Sequence, residues 1–239
     1  MKYVVLIAFV GAAASGCNSD LDEPWQLEHD RIIAVRATPP GILAGEQSTI
    51  DLLVGFEMMP VVERGPDFAT VVSPMSLMDT VSPENGGWVV TAPSEQRLEA
   101  ARGELGLMPG MPVPLQVGVG VMWPYEVPSV DGRTFGAVKT IWLGETATNP
   151  ELTGMLINNT EPGAELVVPK EDKVPLFIEA DDKVDIVNWL TSCGEMHDFD
   201  LHQAYLKVPP ETPQDGQLAV VKRDPRGGVS WRVWPIRAE

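Results

Sequence analysis

The stretch TSCGEMHDFDLH, residues 191–202, gathers a thiol, two imidazoles and three carboxylates within twelve positions. These are the side chains that hold transition metals, and a loop can fold His197, Asp198, Asp200 and His202 around an ion. The spacing argues against such a site. Five positions separate the histidines, which fits neither adjacent turns of a helix nor one face of a strand. The run contains no H-E-x-x-H and no second cysteine at zinc-finger spacing. A solvated polar loop without metal is therefore expected, with those four residues as the only metal candidates in it. Cys193 belongs to the preceding strand. In VDIVNWLTSC, Val187, Trp189, Thr191 and Cys193 share one face, which places the thiol in a core beside Trp189.

Methionines form a second set of chemically capable residues. Met58–Met59, Met75 with Met78, and Met108 with Met111 make three pairs. Thioethers suit Cu(I), but Met also fills irregular cores, and with no His or Cys beside the pairs the core reading is preferred. The acidic runs EADDKVD (179–185) and DLDE (20–23) lack the glycine and bidentate glutamate spacing of a calcium loop and read as solvated turns. G-x-S-x-G, the P-loop and G-x-G-x-x-G are absent from the sequence. Neither an enzyme nor a cofactor is expected.

The elements that must carry these residues read as strands. Hydrophobic residues make up 44% of the 239 positions, enough for a packed core. Glycine and proline stand at 22 each, which suits many short strands divided by turns. RIIAVRATPP reads as a strand stopped by Pro39 and Pro40, and STIDLLVGF as the next. In LQVGVGVMW, Leu115, Val117, Val119, Val121 and Trp123 alternate onto one face, the mark of a half-buried strand. TFGAVKTIWLGE follows the turn SVDGR and pairs with it as a closing hairpin. Between GGWVVTAP and this hairpin, SEQRLEAARGELGL reads as one short helix: Ser94 stands as its cap, and Leu98, Ala101 and Leu105 share a face. TATNPELTG, residues 146–154, has linker composition. Seven strand-like segments then follow: GMLINN, ELVVP, VPLFIEA, VDIVNWLTS, QAYLKV, GQLAVVKR and VSWRVWPI.

This pattern resembles tandem Ig-like β-sandwiches. Trp189 falls where such domains carry a core tryptophan, the inter-sheet disulfide is missing, and both halves end in a Trp-bearing strand, at Trp142 and Trp231. The expected organisation is a tether over 17–29, one sandwich over 30–145, the linker 146–154, and a second sandwich over 155–239. Trp25 is expected on the first sandwich, and the halves are expected to fold separately.

Residues 1–16 differ in kind. MKYVVLIAFVGAAASGC has one cation, an apolar run too short to span a bilayer, and small residues leading to Cys17. It resembles the signal peptide and lipobox of bacterial lipoproteins. The resemblance implies removal of residues 1–16, lipidation of Cys17 with palmitate-type chains, and, from Asn18, sorting to the outer membrane. Cys193 would then lack a disulfide partner. The net charge of -17 disfavours nucleic acid, whose phosphates need cationic partners. The expected partners are the membrane, through the anchor, and an envelope protein or polysaccharide. Envelope metal binding and an unrecognised hydrolase are the alternatives.

Overall fold

The computed structural model describes residues 23–57, 59–122, 134–181 and 184–239. In the amino-terminal half the strands are β1 (Arg31–Thr38), β2 (Gly41–Ile42), β3 (Gln47–Phe56), β4 (Met59–Arg64), β5 (Phe68–Ser73), β6 (Val81–Glu84), β7 (Gly87–Thr91), β8 (Val113–Met122) and β9 (Thr134–Leu143). They form two sheets. One runs β1-β3-β7-β6, with β4 also on β3; the other runs β2-β9-β8-β5. The alternation read in residues 115–121 holds: Leu115, Val117, Val119 and Val121 are buried and face Ile50, Leu52 and Val54 of the opposite sheet within one core. Gly120 has a separate reason. A Cβ there would collide with the ring of Phe68, which lies across the strand. Trp123 and the turn SVDGR fall outside the described residues.

The expected helix is α1 (Glu95–Leu105), and it carries the chain from one sheet to the other. Leu98 and Ala101 are buried and Leu105 packs beside them. Ser94 stands at the N-cap, where its carbonyl accepts from Arg97 N at 2.9 Å; its hydroxyl makes no capping bond. Gly106 closes the helix in the left-handed conformation, φ 67°.

The carboxy-terminal half contains β10 (Leu156–Ile157), β11 (Leu166–Val168), β12 (Val174–Phe177), β13 (Ile186–Thr191), β14 (Glu195–His197), β15 (Gln203–Lys207), β16 (Asp215–Arg223) and β17 (Val229–Ala238). Its sheets run β10-β12-β15-β14 and β11-β17-β16-β13. All seven expected segments are strands. β14 is an addition, inside the stretch read as a polar loop. The core of this half holds Trp189, Trp234, Leu206, Leu218 and Cys193. The two halves share a device. Each opens with a strand split between its sheets, and the second piece runs parallel to the last strand: β2 on β9, β11 on β17. The chain is thus two tandem Ig-like β-sandwiches, held in each case by a core between two sheets.

A third apolar cluster joins them. Ala34, Leu53 and Val61 on the outer face of the first sheet meet Leu190, Ala219, Val221, Val229 and Trp231 on the outer face of the last. β3 and β16 are therefore covered on both faces, which is why they carry the unbroken apolar runs LLV and LAVV instead of alternating. Polar ties reinforce the seam. Val61 N donates to Gln217 Oε1 at 2.6 Å. Ile33, skipped in the β1–β3 register, offers its carbonyl to Arg223 at 2.9 Å. Within the 146–154 segment, Asn149 donates to Ala37 O and accepts from Val229 N, each at 2.9 Å, and so touches both sandwiches.

Candidate functional site

Thr191 ends β13 with its hydroxyl turned inward, 2.8 Å from Cys193 O and 3.7 Å from Cys193 Sγ. Cys193 is 1% exposed, in the core beside Trp189 as the strand period implies. Burial pushes its thiol above the ordinary range, and the Thr191 hydroxyl opposes this. A thiol held protonated and out of solvent is a packing group. At Gly194, φ 72°, a Cβ would strike Lys207 O, so the chain can only turn here with glycine.

β14 then divides its neighbours by strand period. Met196 is buried, while Glu195 and His197 point outward. The imidazole of His197 stacks on Tyr205, centroids 4.4 Å apart and planes 12° apart, because the two residues are directly opposite on β14 and β15. His202 lies on the far side of the following turn, edge-on to Phe177 at 5.9 Å. His197 is thus set apart from the other three metal candidates. His197 lines one cleft with Glu195, whereas Asp198, Asp200 and His202 line a depression of about 450 Å³ with Asp185. Among the described residues no three His, Cys, Asp or Glu side chains converge as metal ligands.

Asp185, from the acidic run expected to be solvated, is instead an internal partner. Its carboxylate sits 3.3 Å from the ammonium of Lys222, which is 8% exposed and also donates to Glu179 O at 2.9 Å. Lys222 comes from β16, so only the fold could pair them. Residues 20–22, 182 and 183 fall outside the described residues.

The methionines also depart from expectation. Met59 packs against the first core, but Met75, Met78 and Met108 are 55%, 57% and 69% exposed, and Met111 is exposed as well. Polar ties to α1 hold their backbones at the surface: Glu104 accepts from Met75 N at 2.8 Å, and Met111 O accepts from Arg102. Met58 lies outside the described residues.

A cleft of about 810 Å³ was not legible in the sequence. Its walls come from four places: Glu23, Trp25 and Glu28 of the tether, Glu57 after β3, the Thr191–His197 stretch, and Thr212 and Pro213 before β16. A second depression of about 770 Å³ lies on the outer face of β12 and β15, lined by Pro175, Phe177, Gln203, Tyr205 and Lys173, whose ammonium stands 4.3 Å from the Tyr205 centroid. The first is rich in carboxylates beside an indole. The second presents rings and amides.

No family model matches this chain, and no curated protein does. Solved structures do. A nucleoside hydrolase-related hypothetical protein from Saccharophagus degradans is 16% identical, with a TM-score of 0.30 over 39% of this chain and 26% of its own length. The N-terminal Ig1-2 module of the Drosophila receptor protein tyrosine phosphatase DLAR is 13% identical, with a TM-score of 0.27 over 88% of this chain and 100% of that one. Fibronectin(III)-like modules of Clostridium thermocellum CbhA are 12% identical, with a TM-score of 0.27 over 86% and 94%. At these scores the fold assignment rests on the strand pairing above.

Proposed function

We propose that this chain is an exported bacterial lipoprotein, held at the outer membrane by acyl chains on Cys17, that serves as a non-catalytic binding or structural module. The anchor reading rests on the apolar run ending in AASGC. The observation that carries the binding reading is the 810 Å³ cleft, whose volume suits a ligand site and whose walls are contributed by both sandwiches and the tether. From Cys17 to Glu23 the chain spans at most about 20 Å, so the anchor keeps the cleft next to the bilayer. Multiple acyl chains, each worth about 0.8 kcal/mol per buried CH2, hold an acidic protein there without a basic patch. The partner is an envelope protein or polysaccharide.

Two measurements test this. Cys17→Ala should move the protein from the membrane to the soluble fraction; retention of that variant with residues 1–16 removed overturns the anchor. A photo-crosslinker at Glu57, in the cleft, should capture a defined envelope component in native cells, and one at exposed Val167 should not. Equal capture at both positions overturns the cleft as the binding surface.

A further inference from the structure

Residues 23–30 do not hang from the first sandwich as a free tether. Trp25 packs against the core of the second. Gln26 bridges to Thr191 in parallel: Leu27 N donates to Thr191 O at 3.0 Å, and Thr191 N to Trp25 O at 2.9 Å. The segment therefore covers the Thr191 end of the β13 edge, next to the bond that Trp189 N donates to Phe199 O at 2.7 Å. Leu27 is 0% exposed, sealed into the apolar cluster between the sandwiches. Asp30 then accepts from Glu57 N at 2.8 Å, and the chain enters β1.

Two features of the first sandwich are shaped to this crossing. Gly55 on β3 lies beneath it; a Cβ there would collide with Leu27 O and stand 2.8 Å from His29 O. Arg31 turns its guanidinium back along the segment, donating to Pro24 O at 2.9 Å and Gln26 O at 2.6 Å. The same segment builds the 810 Å³ cleft, since Glu23, Trp25, Gln26 and Glu28 face the Thr191–His197 wall and Glu57.

We infer that residues 23–30 are a docking strap that couples three things: the amino-terminal side of the chain, the seam between the sandwiches, and the acidic cleft. Docked, the strap completes the β13 edge, fills the seam with Leu27 and forms one wall of the cleft. Released, it removes all three together. A displacement applied at the amino-terminal side reaches the cleft through this strap, because buried Leu27 stands between Gln26 and Glu28 of the cleft wall.

Amide hydrogen exchange on the full chain tests this. The probes are Leu27 and Thr191, which bond strap to β13, and Val61, whose N–H bonds Gln217 across the seam. Gly55→Val should speed exchange at all three by at least tenfold and by a similar factor. Arg31→Ala, which adds no bulk, should speed all three by a smaller common factor and serves if the valine variant does not fold. Gly103→Ala, where a Cβ meets nothing, should leave them unchanged. Acceleration at Leu27 and Thr191 with Val61 unaffected overturns the coupling. Wild-type rates in both strap variants overturn the strap itself.

Discussion

The guanidinium of Arg36 lies 4.0 Å from the centroid of the Trp231 ring, and the two residues belong to different sandwiches. Glu63 completes the arrangement. It pairs with Arg36 and accepts from Trp231 Nε1 at 3.1 Å. One carboxylate thus orients both members of a cation–π pair at the seam. Trp231 is 7% exposed, so the cation acts on a ring largely removed from water. Trp231→Ala should destabilise the protein by about 3–5 kcal/mol. In a double-mutant cycle, Arg36→Ala and Trp231→Phe should couple by about 0.5–2 kcal/mol. Additive effects in denaturant titrations would show that the pair is only adjacent.

The seam should also respond to alkaline pH through Lys139. Burial, assisted by Arg223, lowers its pKa from 10.5 to about 8, with Asp224 opposing. Its ammonium reaches across the seam to Gly227 O. Below pH 8 both folded and unfolded chains hold the proton, and the folded state bears the full cost of the buried charge. Between pH 8 and 10.5 the unfolded chain keeps a proton that the folded chain has lost, so stability rises with pH there. The stability of wild type minus that of Lys139→Met should rise by about 3 kcal/mol from pH 7 to pH 10.5. A flat difference in urea titrations across that window would mean that the amine is hydrated.

Lys222 and Asp185 form a buried pair at the rim of the second sandwich. Asp185→Ala leaves the ammonium with carbonyl partners only and should cost about 3–5 kcal/mol. Replacing both, with Lys222→Met and Asp185→Leu, should restore most of that loss. Thermal unfolding of the single and double variants reads the comparison directly; a single variant as stable as wild type would show that water replaces the carboxylate.

Cys193→Ser should destabilise by about 1–3 kcal/mol, because it puts a more strongly polar hydroxyl in place of a thiol in a buried, apolar setting. Cys193→Ala should cost less. His197→Ala should cost about 0.5 kcal/mol or slightly more through the lost stack on Tyr205. Excess Zn2+ should leave the melting temperature unchanged. A rise of several degrees, abolished by His197→Ala or His202→Ala, would restore the metal reading.

The two halves should unfold as one transition in calorimetry, and protease should not cut first at residues 146–154. This departs from the separate folding suggested by the linker composition. Composition reports that Asn and Pro disfavour regular structure. It cannot report that Asn149 spends both ends of its amide on opposite sandwiches.

The class of fold and most of its strands are legible in the sequence, because period and punctuation are local properties. Alternation at Leu115–Val121 put those residues in a core, the 3.6 period of Leu98, Ala101 and Leu105 gave α1, and the face shared by Trp189 and Cys193 placed the thiol. Lone strand β14 escaped because three residues carry too little period to be read. The runs LLV and LAVV were read only as strands, and it is the seam that shows both of their faces covered. Tertiary structure alone decided the rest. Val61 with Gln217, Arg36 with Trp231, and the strap with β13 each join residues more than 150 positions apart, and no local preference encodes such a partner. The histidines show the converse. Five positions apart in sequence, they are driven to different clefts by a strand's alternation and the turn at Asp198, so nearness along the chain did not become a site.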